Sequence, residues 1–245
     1  MNYYNYFTEI EEHFVRRRGK HLLISPMDWS LISTWRESGV PLHVALRGID
    51  ISVDNWHSRP RRGSDRLSSL FYCHDAVMAE YARHLETHLG ESQAEGSAAP
   101  SGSVQDADRD TDGSPDKISV LEFLKTRLCE IKALRAKHFQ GENAEGIERI
   151  LSRMDGIIQA VEVEGQPDFE AMERDLGMLD ELLIGELRCR LSREKQDEWE
   201  VEARKELKVY KKRLPKETYV KIVDNYIRGR IHRLFNVGEL SLFNL

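Results

Sequence analysis

His84 and His88 are the pair in this chain best spaced to hold a borderline divalent metal, because imidazoles at i and i+4 leave a helix on one face. Cys73 stands eleven residues before His84, ~16 Å along a helix axis, too far to share that ion. A metal-dependent hydrolase using His84 and His88 is therefore one reading. The plainer one is two surface histidines near a helix end, where a partial positive charge suits the dipole. Cys73 and His74 are adjacent, and neighbours in a helix face different ways, so they are not expected to form a thiolate–imidazole pair. Asp108-Arg109-Asp110-Thr111-Asp112-Gly113 has the alternating carboxylates and the glycine that open a calcium loop. Its second half departs: Ser119 stands where the bidentate Glu belongs and Pro115 where an apolar residue does, so a solvated acidic spacer is expected. Phosphate-binding Gly-rich loops, His-Glu-x-x-His, Cys-x-x-Cys, Gly-x-Ser-x-Gly and Glu-x-x-His are all missing from the sequence. No catalytic group, cofactor or metal is expected. The chain reads as one that binds rather than reacts.

Two kinds of contact chemistry remain. Arg16, Arg17, Arg18 and Lys20 form one basic cluster, and Arg59, Arg61, Arg62 and Arg66 a second. Guanidinium groups present a fork of donors to phosphate oxygens and need no base preference, so both clusters are candidate nucleic-acid contacts. Residues 1–90 nevertheless carry 11 basic and 11 acidic side chains, so long-range attraction for nucleic acid should be modest and salt-dependent. The other chemistry is apolar. Gly238-Glu239-Leu240-Ser241-Leu242-Phe243 ends a strongly charged helical chain with three large apolar side chains. They either pack on their own domain, with Val237, or are displayed to a pocket on another protein.

The elements that must position these groups follow from composition. Of 245 residues, 40% are apolar and 32% charged, with few Gly and Pro, the balance of a mainly helical protein. Residues 91–117 hold 2 basic and 7 acidic side chains and one large apolar residue, Val104, before the helix that follows. They cannot bury enough surface to offset their ordering entropy and read as a disordered acidic linker. It parts an N-terminal module, residues 1–90, from a C-terminal bundle, residues 118–236, and a docking tail, residues 237–245. Cys73, Cys129 and Cys189 are odd in number and far apart, no basic apolar leader opens the chain, and no run nears the ~18 apolar residues of a membrane span. A cytoplasmic protein with no membrane contact is expected.

Four helices are expected in the first module: Tyr4 to Arg18; one capped by Ser25 with Pro26 and Asp28 in its first turn and ended by Gly39; one from Pro41 through Leu42, Leu46 and Ile49; and one from about Leu67 to Leu89. Helices joined by Ser38-Gly39-Val40 give a helix-turn-helix-like shape. In the second module, Leu121, Leu124, Leu128 and Ile131 set one helix, and Ile147, Ile150, Met154, Ile157 and Val161 another. A long one runs from Phe169, after an Asp168 cap, through Leu187, Leu191 and Trp199 to about Leu214. Pro215 breaks it before a last helix bearing Tyr219, Ile222, Tyr226, Ile231 and Leu234. The fold class expected is all-α, a small helical module and a bundle with long helices, with homo-oligomerisation through the C-terminal helices open.

Glu239-Leu240-Ser241-Leu242-Phe243 resembles the peptide by which bacterial polymerases and mismatch-repair proteins bind the sliding clamp, whose consensus is Gln-Leu-Ser/Asp-Leu-Phe. The resemblance implies that Leu240, Leu242 and Phe243 enter an apolar pocket and that Glu239 takes the place of the Gln. Glu keeps an acceptor, loses the amide donor and must be desolvated as a charge, which lowers the expected affinity. The stretches Tyr6-Phe7-x-x-Ile10-Glu11-Glu12, Leu23-x-Ser25-Pro26-x-Asp28-Trp29 and Leu46-Arg47-Gly48-Ile49-Asp50 resemble a family of uncharacterised bacterial proteins, and the helix pair is loosely similar to replication-initiation modules of the DnaD type. Together these imply a non-enzymatic adaptor of DNA replication or repair that docks on the sliding clamp and holds DNA or a protein with its first module. The competing expectation is a helical oligomeric scaffold unrelated to DNA, with the tail packed on the bundle.

Overall fold

The computed structural model describes residues 6–19, 24–58, 67–94, 117–139, 144–163 and 168–244, with side chains as far as Thr87 in the fourth helix and Phe243 at the end. The chain divides into two compact units, residues 1–113 and 114–245. Among the described residues all regular structure is helical: α1 (Tyr6–Arg18), α2 (Pro26–Glu37), α3 (Leu42–His57) and α4 (His74–Ala94) in the first unit, and α5 (Lys117–His138), α6 (Glu145–Val163), α7 (Phe169–Arg188), α8 (Arg193–Glu206) and α9 (Lys216–Phe235) in the second. No described helix is long and apolar enough to cross a membrane.

In the first unit the expected cap of α2 is present as a capping box: Ser25 Oγ accepts from the Asp28 N–H, and the Asp28 carboxylate accepts from the Ser25 N–H. Gly39, at φ +77°, turns the chain into α3. The face of α3 that goes inward is Val44, Ala45, Gly48, Ile49, Ser52 and Val53; Leu42 and Leu46, expected there, are only half-buried. Gly48 permits a close approach of α3 to α4, because a Cβ there would lie 2.5 Å from Val77 Cα of α4. The fourth helix starts later than expected. Residues 67–73 form a 3-10 turn, Leu70–Tyr72, because Asp28 captures the Ser69 hydroxyl at 2.6 Å and the Leu70 N–H at 2.9 Å. A carboxylate 2% exposed is satisfied by four donors, two from its own cap and two from this turn.

In the second unit α5 packs on α6, α6 on α7, α7 on α9 and α8 on α9. The apolar stripes of α5, α6 and α7 supply the core through Leu124, Ile131, Ile147, Ile150, Leu176 and Leu183. The long helix expected to run from Phe169 to Leu214 is two helices. α7 ends at Cys189, and Ser192 caps α8 by accepting from the Lys195 N–H at 3.3 Å, so the chain can fold back and bury Trp199 and Ala203. Pro215 precedes α9, as its missing N–H requires. α9 ends at Asn236, the one described non-glycine residue at positive φ (+52°), a left-handed cap that reverses the chain.

Candidate functional site

That reversal decides where residues 237–243 go. The Val237 N–H donates to His232 O at 3.1 Å, closing the cap, and the chain then runs on over α5 and α7. The segment bends at Leu240 and closes in a 3-10 turn, Leu242–Asn244, and along it alternate amides meet carboxylates. The Gly238 N–H donates to Glu130 Oε2 of α5 at 2.9 Å, the Leu240 N–H to Asp180 Oδ1 of α7 at 2.9 Å and the Leu242 N–H to Glu173 Oε2 of α7 at 2.7 Å. Ser241 Oγ donates to the other Glu173 oxygen at 2.6 Å and accepts from the Phe243 N–H at 3.3 Å. Glu173 and Asp180 are seven residues apart, two turns on one face of α7, so both carboxylates reach the tail from the same side. Leu240 and Leu242 are wholly buried, Val237 nearly so, and Phe243 half-buried. At Gly238 a Cβ would fall 2.0 Å from Arg127, whose guanidinium is held by Glu130 at 2.8 Å, so only glycine lets that pair lie against the backbone.

Asp180, 1% exposed, is the hub. Besides Leu240 it accepts from Arg228 of α9 at 2.9 Å and faces His232 Nε2 at 3.3 Å, while His232 Nδ1 is 3.2 Å from Val237 O. Burial alone would push the Asp180 carboxyl upward, but the hydrogen bond and charge of His232, the Leu240 N–H and Arg228 outweigh it and hold it below the ordinary carboxylate range. For His232 burial acts downward, and the hydrogen bond and charge of Asp180, with the charge of Glu239, outweigh burial and the opposing Arg228 to raise it. The arrangement is a set of three carboxylates that holds the main chain of the Leu240-Ser241-Leu242 segment.

The other expected site residues are scattered. Arg17 pairs with two carboxylates of α3, Asp50 at 2.7 Å and Asp54 at 2.6 Å. Arg16 donates to His13 Nδ1 at 3.0 Å, and Arg18 lies over the Phe14 ring and donates to Ser68 O. Lys20, Arg59, Arg61, Arg62 and Arg66, the aspartates 108–112 and the side chain of His88 lie outside the described residues. His84 meets His43 of α3, ring centres 5.3 Å apart, a contact the sequence spacing did not single out. Among the described residues no group of three or more His, Cys, Asp or Glu is arranged to hold a metal ion. Cys73 is buried and its thiol is pushed up to about 12, first by burial. His74 turns instead to Trp35, whose Nε1–H donates to His74 Nδ1 at 3.0 Å.

Glu130, Glu173, Asp180, Arg228 and His232 were not anticipated. One signal was available for Asp180: it interrupts the apolar stripe Leu176, Leu179, Leu183, Leu187, and a buried carboxylate demands partners. Residues 5–93 match a family model described as Uncharacterised protein, which spans the described helices of the first unit. No curated protein and no solved structure matches the chain.

Proposed function

We propose that the protein is a non-enzymatic helical interaction protein of two units, whose Leu240-Ser241-Leu242-Phe243 segment is bound by its own C-terminal unit. Docking of that segment on a partner such as a sliding clamp is then open only to a released form. The observation that supports this is the complete burial of Leu240 and Leu242, with both N–H groups held by carboxylates.

Magnitudes favour the internal seat. Burial of Val237, Leu240 and Leu242 contributes roughly 1.5–3 kcal/mol each. Hydrogen bonds to charged groups add about 1.5–3 kcal/mol apiece. A clamp pocket would offer burial of the same leucines and of Phe243, with fewer charge-assisted bonds. It would also bear an association cost of about 4–15 kcal/mol that the intramolecular seat avoids. A partner of micromolar affinity present at about ten times its Kd shifts the balance by only about 1.4 kcal/mol, too little to displace such a seat.

The test is binding of the purified full chain to a bacterial sliding clamp at neutral pH, beside the double variant Leu242→Ala/Phe243→Ala. No binding at tens of micromolar is expected from either. Binding by the intact chain that the double variant loses would overturn the internal reading and establish the clamp one.

A further inference from the structure

His232 sits between two acceptors. One ring nitrogen faces the Asp180 carboxylate, 3.3 Å from either oxygen, and the other faces Val237 O at 3.2 Å. A neutral imidazole has one N–H and one lone pair, so it can satisfy only one of these; the imidazolium donates to both. The ring thereby ties α7 to the first residue of the returning segment, and it does so in one protonation state.

We propose that residues 237–243 form a proton-dependent latch: with both nitrogens of His232 protonated the segment is seated on α5 and α7, and loss of one proton releases it. This rests on the internal seating proposed above and names its control. When the ring loses a proton, either Val237 O or the buried Asp180 carboxylate is left opposite a lone pair. Repulsion there falls on the residue from which the Gly238, Leu240 and Leu242 contacts hang.

The charges around the ring are Asp180 from α7, Arg228 from its own helix and Glu239 from the segment itself, with the Arg127–Glu130 pair of α5 at the neighbouring Gly238. Glu239 is informative. It occupies the position where clamp-binding peptides carry Gln, and here its carboxylate favours the protonated ring. Release would expose Leu240, Leu242 and Phe243 together, and would leave Asp180 and Glu173 lining an open cleft.

Amide protection of Leu240 and Leu242, corrected for intrinsic exchange and followed by NMR on the full chain from pH 6 to 9 together with the His232 ring signals, tests this. Expected is a doubly protonated His232 at pH 6 and protection that falls about tenfold per pH unit once the ring begins to titrate, then levels. In His232→Gln the protection should be low and independent of pH. Glu239→Gln, a half-buried change that leaves the core untouched, should move the midpoint to lower pH and settles the matter if His232→Gln does not fold. Protection that stays high across the range, or an unmoved midpoint in Glu239→Gln, overturns the latch while leaving the seat. Unprotected amides at pH 6 overturn both.

Discussion

Asp180 and Leu240 are 60 residues apart in the chain and meet through a 2.9 Å hydrogen bond in which a buried carboxylate accepts the N–H of a wholly buried leucine. The bond makes one side chain of α7 answerable for both the charge balance of α9, through Arg228 and His232, and the course of the last residues.

Removing the hub should be costly. Asp180→Ala removes the carboxylate that Arg228, His232 and the Leu240 N–H share, and about 3–5 kcal/mol of stability should go. Asp180→Asn keeps an oxygen for the amide and loses the charge, so a smaller loss is expected. Urea denaturation of the two variants checks the order, and an Asn variant worse than Ala would contradict it.

The pH dependence has a definite sign. A raised His232 contributes stability that is fully present below about 6.5, the unfolded value, and is lost as pH rises through the folded one. A lowered Asp180 contributes stability present above about 3.9 and lost as pH falls through its folded value. The urea midpoint of the second unit should therefore be highest between roughly pH 4 and 6.5 and decline toward pH 9. In His232→Gln the alkaline decline should be much reduced.

Gly48 and Gly156 make a controlled pair. Gly48→Ala puts a methyl 2.5 Å from the Val77 backbone and should cost about 1–3 kcal/mol, or more if α3 and α4 cannot part. Gly156→Ala meets nothing within 4 Å on the exposed face of α6 and should gain up to about 1 kcal/mol from helix propensity. Thermal melts of both variants read the difference, and equal signs would refute the packing of α3 on α4.

Asp28→Ala removes the capping box of α2 and the acceptor for Ser69 and Leu70 together. A loss of about 2–4 kcal/mol is expected from one cap and newly unpaired buried donors. Ser25→Ala, which removes only the cap hydroxyl, should cost about 1 kcal/mol. Equal losses would show that residues 69 and 70 draw nothing from Asp28.

Thiol alkylation at pH 8 separates the three cysteines. Cys129 and Cys189 are exposed and should react in the native protein, whereas Cys73, buried with its thiol pushed up to about 12, should react only after denaturation. Mass spectrometry of the labelled peptides reads this directly, and native labelling of Cys73 would contradict its burial.

Some of this was legible locally. Ser25-Pro26-x-Asp28 announces α2 because a cap involves residues three apart, and Pro215 announces a boundary because its lost N–H is a property of one residue. The turn at residues 70–72 and the break at 189–192 were not legible in the same way. In the first a distant carboxylate takes the amide that would have entered a helix, and in the second the gain comes from burying Trp199 and Ala203. The apolar pattern from Phe169 to Leu214 is helical on either side of the break, so periodicity passes over it.

By itself, then, the sequence determined an all-helical chain, the apolar stripes of its helices, several of their ends, and a last segment whose leucines had to be covered by something. Which surface covers them was decided only in three dimensions. The Leu240-x-Leu242 step is equally suited to a pocket elsewhere and to this unit, and the choice depends on Glu130, Glu173, Asp180 and His232, 5 to 108 residues from the tail positions they meet. Local propensity carries no information at that range. Folding α5, α7 and α9 together places three carboxylates opposite alternate amides of the returning segment and makes that segment a ligand of its own bundle.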